Sequence, residues 1–242
     1  MEMIPKTAMI MAAGFGTRMR PLTEHLPKPL VRVAGKPLID YSLDFLANSG
    51  VEKVIINSHY LAEMLEEHLA KRTNAPQIII SRENEVLETG GGVLNALPLL
   101  GDEPFFVVNS DVICIDGKAP TLKSLWQHWN DQTMDALLLL QEVKNAVGYY
   151  GFGDFSLNDD GILQRRGEGE IAPLVFTGIQ ILHPRLFAGA KSGKFSTNVL
   201  YNKNLSRVGA MVHDGNWLHI GDMQGIKQAE SFLTNKGETN NA

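Results

Sequence analysis

Short apolar runs alternate with helical patterns through the first half of this chain, and that alternation limits the fold more than any other feature. Residues Thr7 to Ala13 form an apolar run ending at glycine, as a strand buried on both faces does. Pro37 then opens a helical pattern with Leu38, Leu43, Phe45 and Leu46, closed by Asn48, Ser49 and Gly50. Val51 to Asn57 predicts a second strand, Leu61 to Lys71 a helix and Gln77 to Ser81 a third strand. Gly90 to Leu97 predicts a short helix, Pro104 to Asn109 a strand, Leu122 to Trp129 a helix and Ala136 to Leu140 a buried strand. This order implies a parallel sheet with helices on both faces.

The second half changes character. Tyr149 to Leu157, Ile162 to Arg166 and Leu174 to Leu182 predict strands joined by polar turns such as Asn158-Asp159-Asp160-Gly161. They predict a mixed or antiparallel extension of the sheet. Trp217 to Ile220 predicts a last strand, leading into a helix from about Asp222 to Leu233. Asn235 to Ala242 is polar and predicts a frayed tail. One domain of residues 1–236 is therefore expected, its first part about 1–142 and its second about 143–236, followed by the tail 237–242.

The net charge of -5 and the absence of any Lys/Arg block argue against a nucleic-acid partner. The single cysteine, Cys114, excludes an intrachain disulfide framework and is expected to be a small core residue. No apolar run approaches the roughly 20 residues that span a bilayer. The start, Met-Glu-Met-Ile-Pro, lacks a signal-peptide layout, so a cytoplasmic protein without a membrane partner is expected.

The most specific motif follows the first strand: Ala12-Ala13-Gly14-Phe15-Gly16-Thr17-Arg18-Met19-Arg20-Pro21-Leu22-Thr23, then Pro27-Lys28-Pro29. A loop leaving the carboxyl end of a parallel strand sits where open α/β sheets bind ligands. Gly14 and Gly16 let backbone N–H groups close on phosphate oxygens. Arg18 can fork onto a phosphate, and Lys28 adds a point charge. Met19 stands where a dinucleotide fingerprint needs its third glycine, and no Gly-Lys-Ser/Thr ending of a P-loop is present. Asp111 follows the apolar strand ending at Asn109, so it should face the same crevice, where a carboxylate suits Mg²⁺. Thr89, at a strand-to-helix junction, can N-cap the helix after it, and a carboxylate of Glu83 or Glu85 can accept an N–H from a nucleobase.

These strings resemble the sugar-phosphate nucleotidyltransferases, whose signature reads A-A-G-x-G-T-R, P-L-T and P-K-P. The likeness continues in Gly35-Lys36-Pro37-Leu38-Ile39, Glu88-Thr89-Gly90-Gly91, Asn109-Ser110-Asp111 and Thr177-Gly178. It implies an α/β, Rossmann-like nucleotide-diphospho-sugar transferase fold: a mostly parallel central sheet with helices on both faces and a smaller antiparallel sugar-binding extension. It implies an enzyme that joins a nucleoside triphosphate to a sugar 1-phosphate and releases pyrophosphate, with Mg²⁺ or Mn²⁺. Ala12, Ala13, Gly14, Gly16, Thr17, Arg18, Lys28, Glu88, Thr89 and Gly90 are implied to hold the nucleotide, with Arg18, Lys28 and Asp111 catalytic. Asn109, Gly153, Asp154, Glu170, Thr177 and Gly178 are the sugar-binding candidates.

Within the family, Leu87–Gly92 and Gly153–Phe155 look most like members that use UTP and N-acetylmuramate 1-phosphate in peptidoglycan recycling. The runner-up is guanylyl transfer to mannose 1-phosphate or a heptose 1-phosphate. A non-catalytic nucleotide-sugar sensor and a dinucleotide-dependent oxidoreductase are the readings outside the class. Arg18, Lys28 and Asp111 together argue against the sensor, and Met19 against the oxidoreductase. A homo-oligomer stays open.

One departure from the family pattern stands near the C-terminus. Where relatives read W-x-D-x-G-T, this chain has Trp217-Leu218-His219-Ile220-Gly221-Asp222. His219 replaces the second metal carboxylate, so Asp111 and His219 are the expected metal contacts. Strand alternation puts Trp217 and His219 on one face. Asp222 could supply a carboxylate, but an N-cap of the last helix is the stronger expectation for it. His25, His59, His68 and His183 are expected to be structural or surface groups.

Overall fold

The computed structural model describes residues 4–239. The strands are β1 (Thr7–Met11), β2 (Arg32–Val33), β3 (Lys36–Pro37), β4 (Lys53–Ser58), β5 (Gln77–Arg82), β6 (Phe105–Asn109) and β7 (Val112–Ile115). They continue as β8 (Ala136–Glu142), β9 (Phe155–Leu157), β10 (Leu163–Arg165), β11 (Leu174–Leu182), β12 (Val208–Val212) and β13 (Asn216–His219). The helices are α1 (Leu38–Asn48), α2 (Ala62–Ala70), α3 (Glu88–Leu100), α4 (Thr121–His128), α5 (Asn198–Lys203) and α6 (Met223–Thr239).

The central sheet runs β5-β4-β1-β6-β11-β8-β12. All neighbouring pairs in it are parallel except at β11, which is antiparallel to both β6 and β8. The hairpin β9–β10 joins β11 at Leu174, just before a register shift between Phe176 and Gln180. Because β1, β4, β5 and β6 are parallel, their carboxyl ends reach one edge together.

Period-2 alternation explains the two layers. Ala8, Ile10, Val54, Ile56, Phe106 and Val108 pack under α1, α2 and α4. Met9, Ile55, Phe105 and Val107 face the other way, against Val93, Ala96 and Leu100 of α3 and Leu200 and Tyr201 of α5. Each such side chain, wholly withdrawn from water, contributes about 1.5–3 kcal/mol. A third cluster joins Met19, Val31, Val33 and Leu38 to Ile113, Leu218, Ile220, Ile226 and Ala229, so α6 braces the glycine-rich loop.

Several local expectations change. Only Phe155–Leu157 of the expected strand Tyr149–Leu157 pairs, because the stretch before it bends so that Tyr149 packs on Trp217 and His219. The polar tail is helical as far as Thr239: Phe232 and Leu233 hold α6 on the third cluster, and Lys236 Nζ donates to Asn216 Oδ1 at 3.2 Å. Residues 240–242 lie outside the described residues. Strands β7 and β12 and helix α5 were not expected.

Asp135, just ahead of β8, ties that strand to β12. Its carboxylate accepts from Arg185 Nε at 2.7 Å and from Arg207 Nε and Nη2, both at 2.8 Å. The hydrogen-bonded Arg207, with Arg185, outweighs burial and holds its pKa below the usual carboxylate value. A depressed folded pKa stabilises above the unfolded value and is lost as pH falls through the folded one. Asp135→Asn should therefore cost about 1.5–3 kcal/mol at neutral pH. The difference from wild type should shrink as the pH falls below the ordinary carboxylate value of 3.8, as urea unfolding at neutral and at acid pH would show.

Candidate active site

At the carboxyl edge of β1, β4, β5 and β6 the chain leaves a cleft of about 470 Å³. The loop after β1 forms one wall. Gly16 adopts φ +62°, and a Cβ there would press on Lys28 and Thr23 at 3.0 and 3.1 Å. Thr23 Oγ1 fixes the turn by donating to the Gly16 carbonyl at 2.8 Å. Gly14 differs: a Cβ there would meet nothing within 4 Å. The fold does not require that glycine, and the space it leaves open is the cleft. Thr17–Met19 make a short turn that sends Met19 into the core and leaves Arg18 exposed on the cleft wall.

Lys28 and Asp111 meet across the cleft at 2.5 Å. Burial alone would raise the Asp111 pKa, but Lys28 and, less strongly, His219 and Arg18 pull it below the ordinary value, so it is ionised at neutral pH. Its other oxygen, Oδ1, takes no hydrogen bond among the described residues. The Asp111 carbonyl accepts from Ile220 N–H at 2.9 Å, which locks the end of β6 to the segment after β13.

A buried polar chain supports the loop from behind. Ala12 N–H donates to Asn57 Oδ1 at 2.7 Å, Asn57 Nδ2 donates to Glu83 Oε1 at 2.7 Å, and Glu83 Oε2 accepts from Leu87 N–H at 3.0 Å. Both oxygens of Glu83 are therefore spent within the protein, although it lines the cleft.

Of the residues expected at the nucleotide, Ala12, Ala13, Gly14, Gly16, Thr17, Arg18, Lys28, Glu88 and Thr89 line the cleft together with Asp111. Gly90 does not: it packs against the Phe195 ring, where a Cβ would come within 2.3 Å. The expected Thr89 cap is absent. Leu87 holds the N-cap position without a side-chain bond, and Thr89 Oγ1 accepts from Thr197 N–H at 2.9 Å. The Phe195 carbonyl instead accepts from Gly90 and Gly91 N–H, at 2.9 and 3.1 Å, so the loop before α5 caps α3.

A second cavity of about 180 Å³ shares Met11, Thr89, Asn109 and Ser196 with the cleft and ends at Gln180 and Tyr201. Among the sugar candidates only Asn109 lines it. Gly178 lies directly behind Asn109, and buried Thr177 donates to the Leu139 carbonyl at 2.8 Å. Gly153 makes a turn against the Ala172 carbonyl, Asp154 accepts from Phe176 N–H at 2.9 Å, and exposed Glu170 accepts from Gly167 N–H at 3.2 Å. Gln180, a polar residue inside the apolar run of β11, was the available sign of this cavity. The lining residues Ser196 and Thr197 carried none.

His219 stacks on Trp217, 5.5 Å between ring centres, so the two do share a face. Its Nδ1 lies 3.3 Å from the Gly148 carbonyl, which makes Nδ1 the protonated nitrogen and leaves Nε2 bare. Burial lowers its pKa, with Asp111 opposing, so the ring is neutral at neutral pH. Gly221, not His219, forms the cleft wall; the ring occupies the space of a Gly221 side chain. Asp222 Oδ1 accepts from Gly225 N–H at 2.9 Å, the N-cap bond of α6. Among the described residues no group of three or more His, Cys, Asp or Glu could hold a metal, so no self-contained metal cage exists there. The Cys114 thiol is pushed up to about 12 by burial and lies 3.5 Å from His213 Nε2, away from the cleft. His25, His59, His68 and His183 do not line it either.

A glycine loop, two cations and a carboxylate at the carboxyl edge of a parallel sheet define a site for phosphate transfer chemistry. The chain belongs to the nucleotidyl transferase family, whose model matches residues 7–164, and it is an enzyme of that class. It is 42% identical over 239 residues to the N-acetylmuramate alpha-1-phosphate uridylyltransferase of Caulobacter vibrioides, across 96% of this chain and 99% of that protein. It is 32% identical to the mannose-1-phosphate guanylyltransferase catalytic subunit beta of Danio rerio, across 94% of this chain and 62% of that protein. The fold matches UDP-glucose pyrophosphorylase solved with UDP-glucose, with a TM-score of 0.78 at 22% identity, across 97% of this chain and 100% of that one. No helix among the described residues is long and apolar enough to cross a membrane.

The capping of α3 yields a test. A Cβ on Gly91 would lie 2.2 Å from the Gly193 carbonyl, so the backbone must move. Gly91→Ala should cost about 1–3 kcal/mol of stability. It should also raise the KM for the sugar substrate more than that for the nucleotide, because the displaced loop carries Ser196 and Thr197. Equal effects on both KM values would contradict that division.

Proposed function

We propose that the protein transfers uridylyl from UTP to N-acetylmuramate 1-phosphate, giving UDP-N-acetylmuramate and pyrophosphate, as a step of peptidoglycan recycling in the cytoplasm. One observation carries the choice of substrates: the end-to-end match to the Caulobacter uridylyltransferase, against a guanylyltransferase of which this chain covers 62%. We read residues 1–142 as the nucleotide-binding part and 143–236 as the sugar-binding part of one domain.

The chemistry follows from the charges. An oxygen of the sugar phosphate attacks the α-phosphorus in line, the bond to the bridging oxygen breaks, and pyrophosphate leaves. The attacking phosphate is already ionised, so no general base is needed; positioning and charge stabilisation remain. The loop from Ala12 to Thr17 holds the nucleotide with its backbone. Lys28 neutralises the α-phosphate and the incoming phosphate, and Arg18 meets charge on the departing pyrophosphate. Glu88 and Thr89 stand at the base end, and Asn109 at the start of the sugar cavity. Asp154, Glu170, Gly153, Thr177 and Gly178 act on the sugar indirectly, by shaping the strands around it.

Asp111 Oδ1 would hold a divalent cation that takes its remaining ligands from phosphates and water, with the bare Nε2 of His219, set behind Gly221, as a water-bridged second contact. A ring fixed by a backbone carbonyl at the opposite nitrogen is the usual arrangement of a ligating histidine. When bound, Mg²⁺ or Mn²⁺ supplies charge neutralisation to the phosphates. Asp222 is occupied as a helix cap.

Two measurements test these assignments. In a matrix of four nucleoside triphosphates against several sugar 1-phosphates, UTP with N-acetylmuramate 1-phosphate should give the highest kcat/KM. A higher value for GTP with mannose 1-phosphate would favour the guanylyl reading. Asp111→Asn should lower kcat by roughly 10²-fold or more while the melting temperature stays near wild type. Near-normal turnover with Mg²⁺ would remove Asp111 from the metal site.

A further inference from the structure

The cavity beyond Asn109 has a feature that its lining alone does not explain. Its walls carry no charged side chain: Val93, Val107 and Phe176 are apolar, while Gln180, Asn198 and Tyr201 are polar and neutral. The cations of the cleft, Arg18 and Lys28, stand at the phosphate end. Just outside the far end lies Arg165 on β10. Its Nη2 donates to Asn198 Oδ1 at 2.8 Å, and its guanidinium carbon sits 4.9 Å over the Phe155 ring.

Arg165 makes no ion pair among the described residues, and its Nε is buried without a partner. The neighbouring carboxylate, Asp154, accepts from the Phe176 N–H and forms no ion pair with the guanidinium among the described residues; its charge reaches Arg165 only through space. A half-buried guanidinium that keeps its full charge and an idle donor is costly unless something supplies an anion. Burial presses its pKa down, and its most direct polar contact is a neutral amide.

We infer that Arg165, positioned by Asn198 and Phe155, receives the carboxylate of an acidic sugar 1-phosphate and so selects it over neutral sugars. The inference rests on the sugar proposed above. N-acetylmuramate carries a lactyl ether ending in a carboxylate, which N-acetylglucosamine lacks. With the 1-phosphate near Lys28 and the ring beside Asn109, a carboxylate at the Asn198 end faces a guanidinium that has no ion-pair partner among the described residues. A planar guanidinium is suited to a carboxylate in two-point contact. Mannose 1-phosphate offers nothing for this charge, so the same residue separates the two candidate substrates.

The test measures steady-state constants with UTP for N-acetylmuramate 1-phosphate and N-acetylglucosamine 1-phosphate, with melting temperatures for each variant. The wild-type enzyme should prefer the acidic sugar. Arg165→Leu should cut that preference roughly 10- to 100-fold, through KM rather than kcat. Arg165→Lys should retain part of it. Asn198→Asp, which sets a carboxylate against the guanidinium without deleting packing, should cut it in the same direction. Equal losses on both sugars, or an unchanged preference in Arg165→Leu and Asn198→Asp, would overturn the role of Arg165 and leave uridylyl transfer standing. A wild-type enzyme without any preference for N-acetylmuramate 1-phosphate would overturn the sugar assignment itself.

Discussion

The contact between Lys28 and Asp111 joins segments 83 residues apart and sets the scale of the cleft. Either charge alone, largely withdrawn from water, would be costly; together each offsets the desolvation of the other. The pair also keeps Asp111 ionised in a site where burial favours the protonated acid. Phosphates entering the cleft offer Lys28 a competing anion, and a cation offers Asp111 a competing partner. On the proposed mechanism, binding of phosphates and a cation would exchange this ion pair for two new ones.

Such an exchange needs both partners held to within a fraction of an ångström, and the framework provides that from three directions. β1 and β6 are neighbours, so the glycine loop and Asp111 leave adjacent strands. Met19 anchors the loop in the cluster that α6 and β13 complete. The Ile220 N–H bond to the Asp111 carbonyl carries the same restraint to the far side. Residues far apart in the chain thus tune one local geometry, and the last helix braces the site although none of its described side chains lines the cleft.

Much of this was legible in the sequence because it rests on local rules. The apolar runs of β1, β4, β6 and β8 are buried on both faces and betray themselves by composition. The glycine loop shows in its spacing, and Asp111 in its place after a strand. What failed was the tertiary part. Thr89 has an N-cap's chemistry, yet the carbonyl of Phe195 reached the helix end first. Gly90 reads like a loop glycine for a ligand but makes room for the Phe195 ring. Strand β12 is short and carries Gly209, so neither length nor period marks it; its parallel partner β8 supplies the pairing. His219 was placed correctly on the face of Trp217, but no alternation rule could say that a glycine two residues later would stand between it and the cleft.

The two ends of the cleft differ in a way that explains why the reaction class is easier to read than the substrate. The phosphate end is built from one continuous loop, two nearby cations and the end of an adjacent strand, so a short motif encodes it. The end we propose for the sugar draws on α3, β6, β11, α5 and, behind them, β10. Its groups are single side chains such as Gln180, Asn198 and Arg165, each commonplace in isolation. Gln180 and Asn198 line one cavity, and the pairing of β9 with β10 sets Arg165 just outside it, against Asn198. Changing the sugar then requires altering isolated side chains on a fixed frame, whereas changing the chemistry would require rebuilding the loop and the ion pair together.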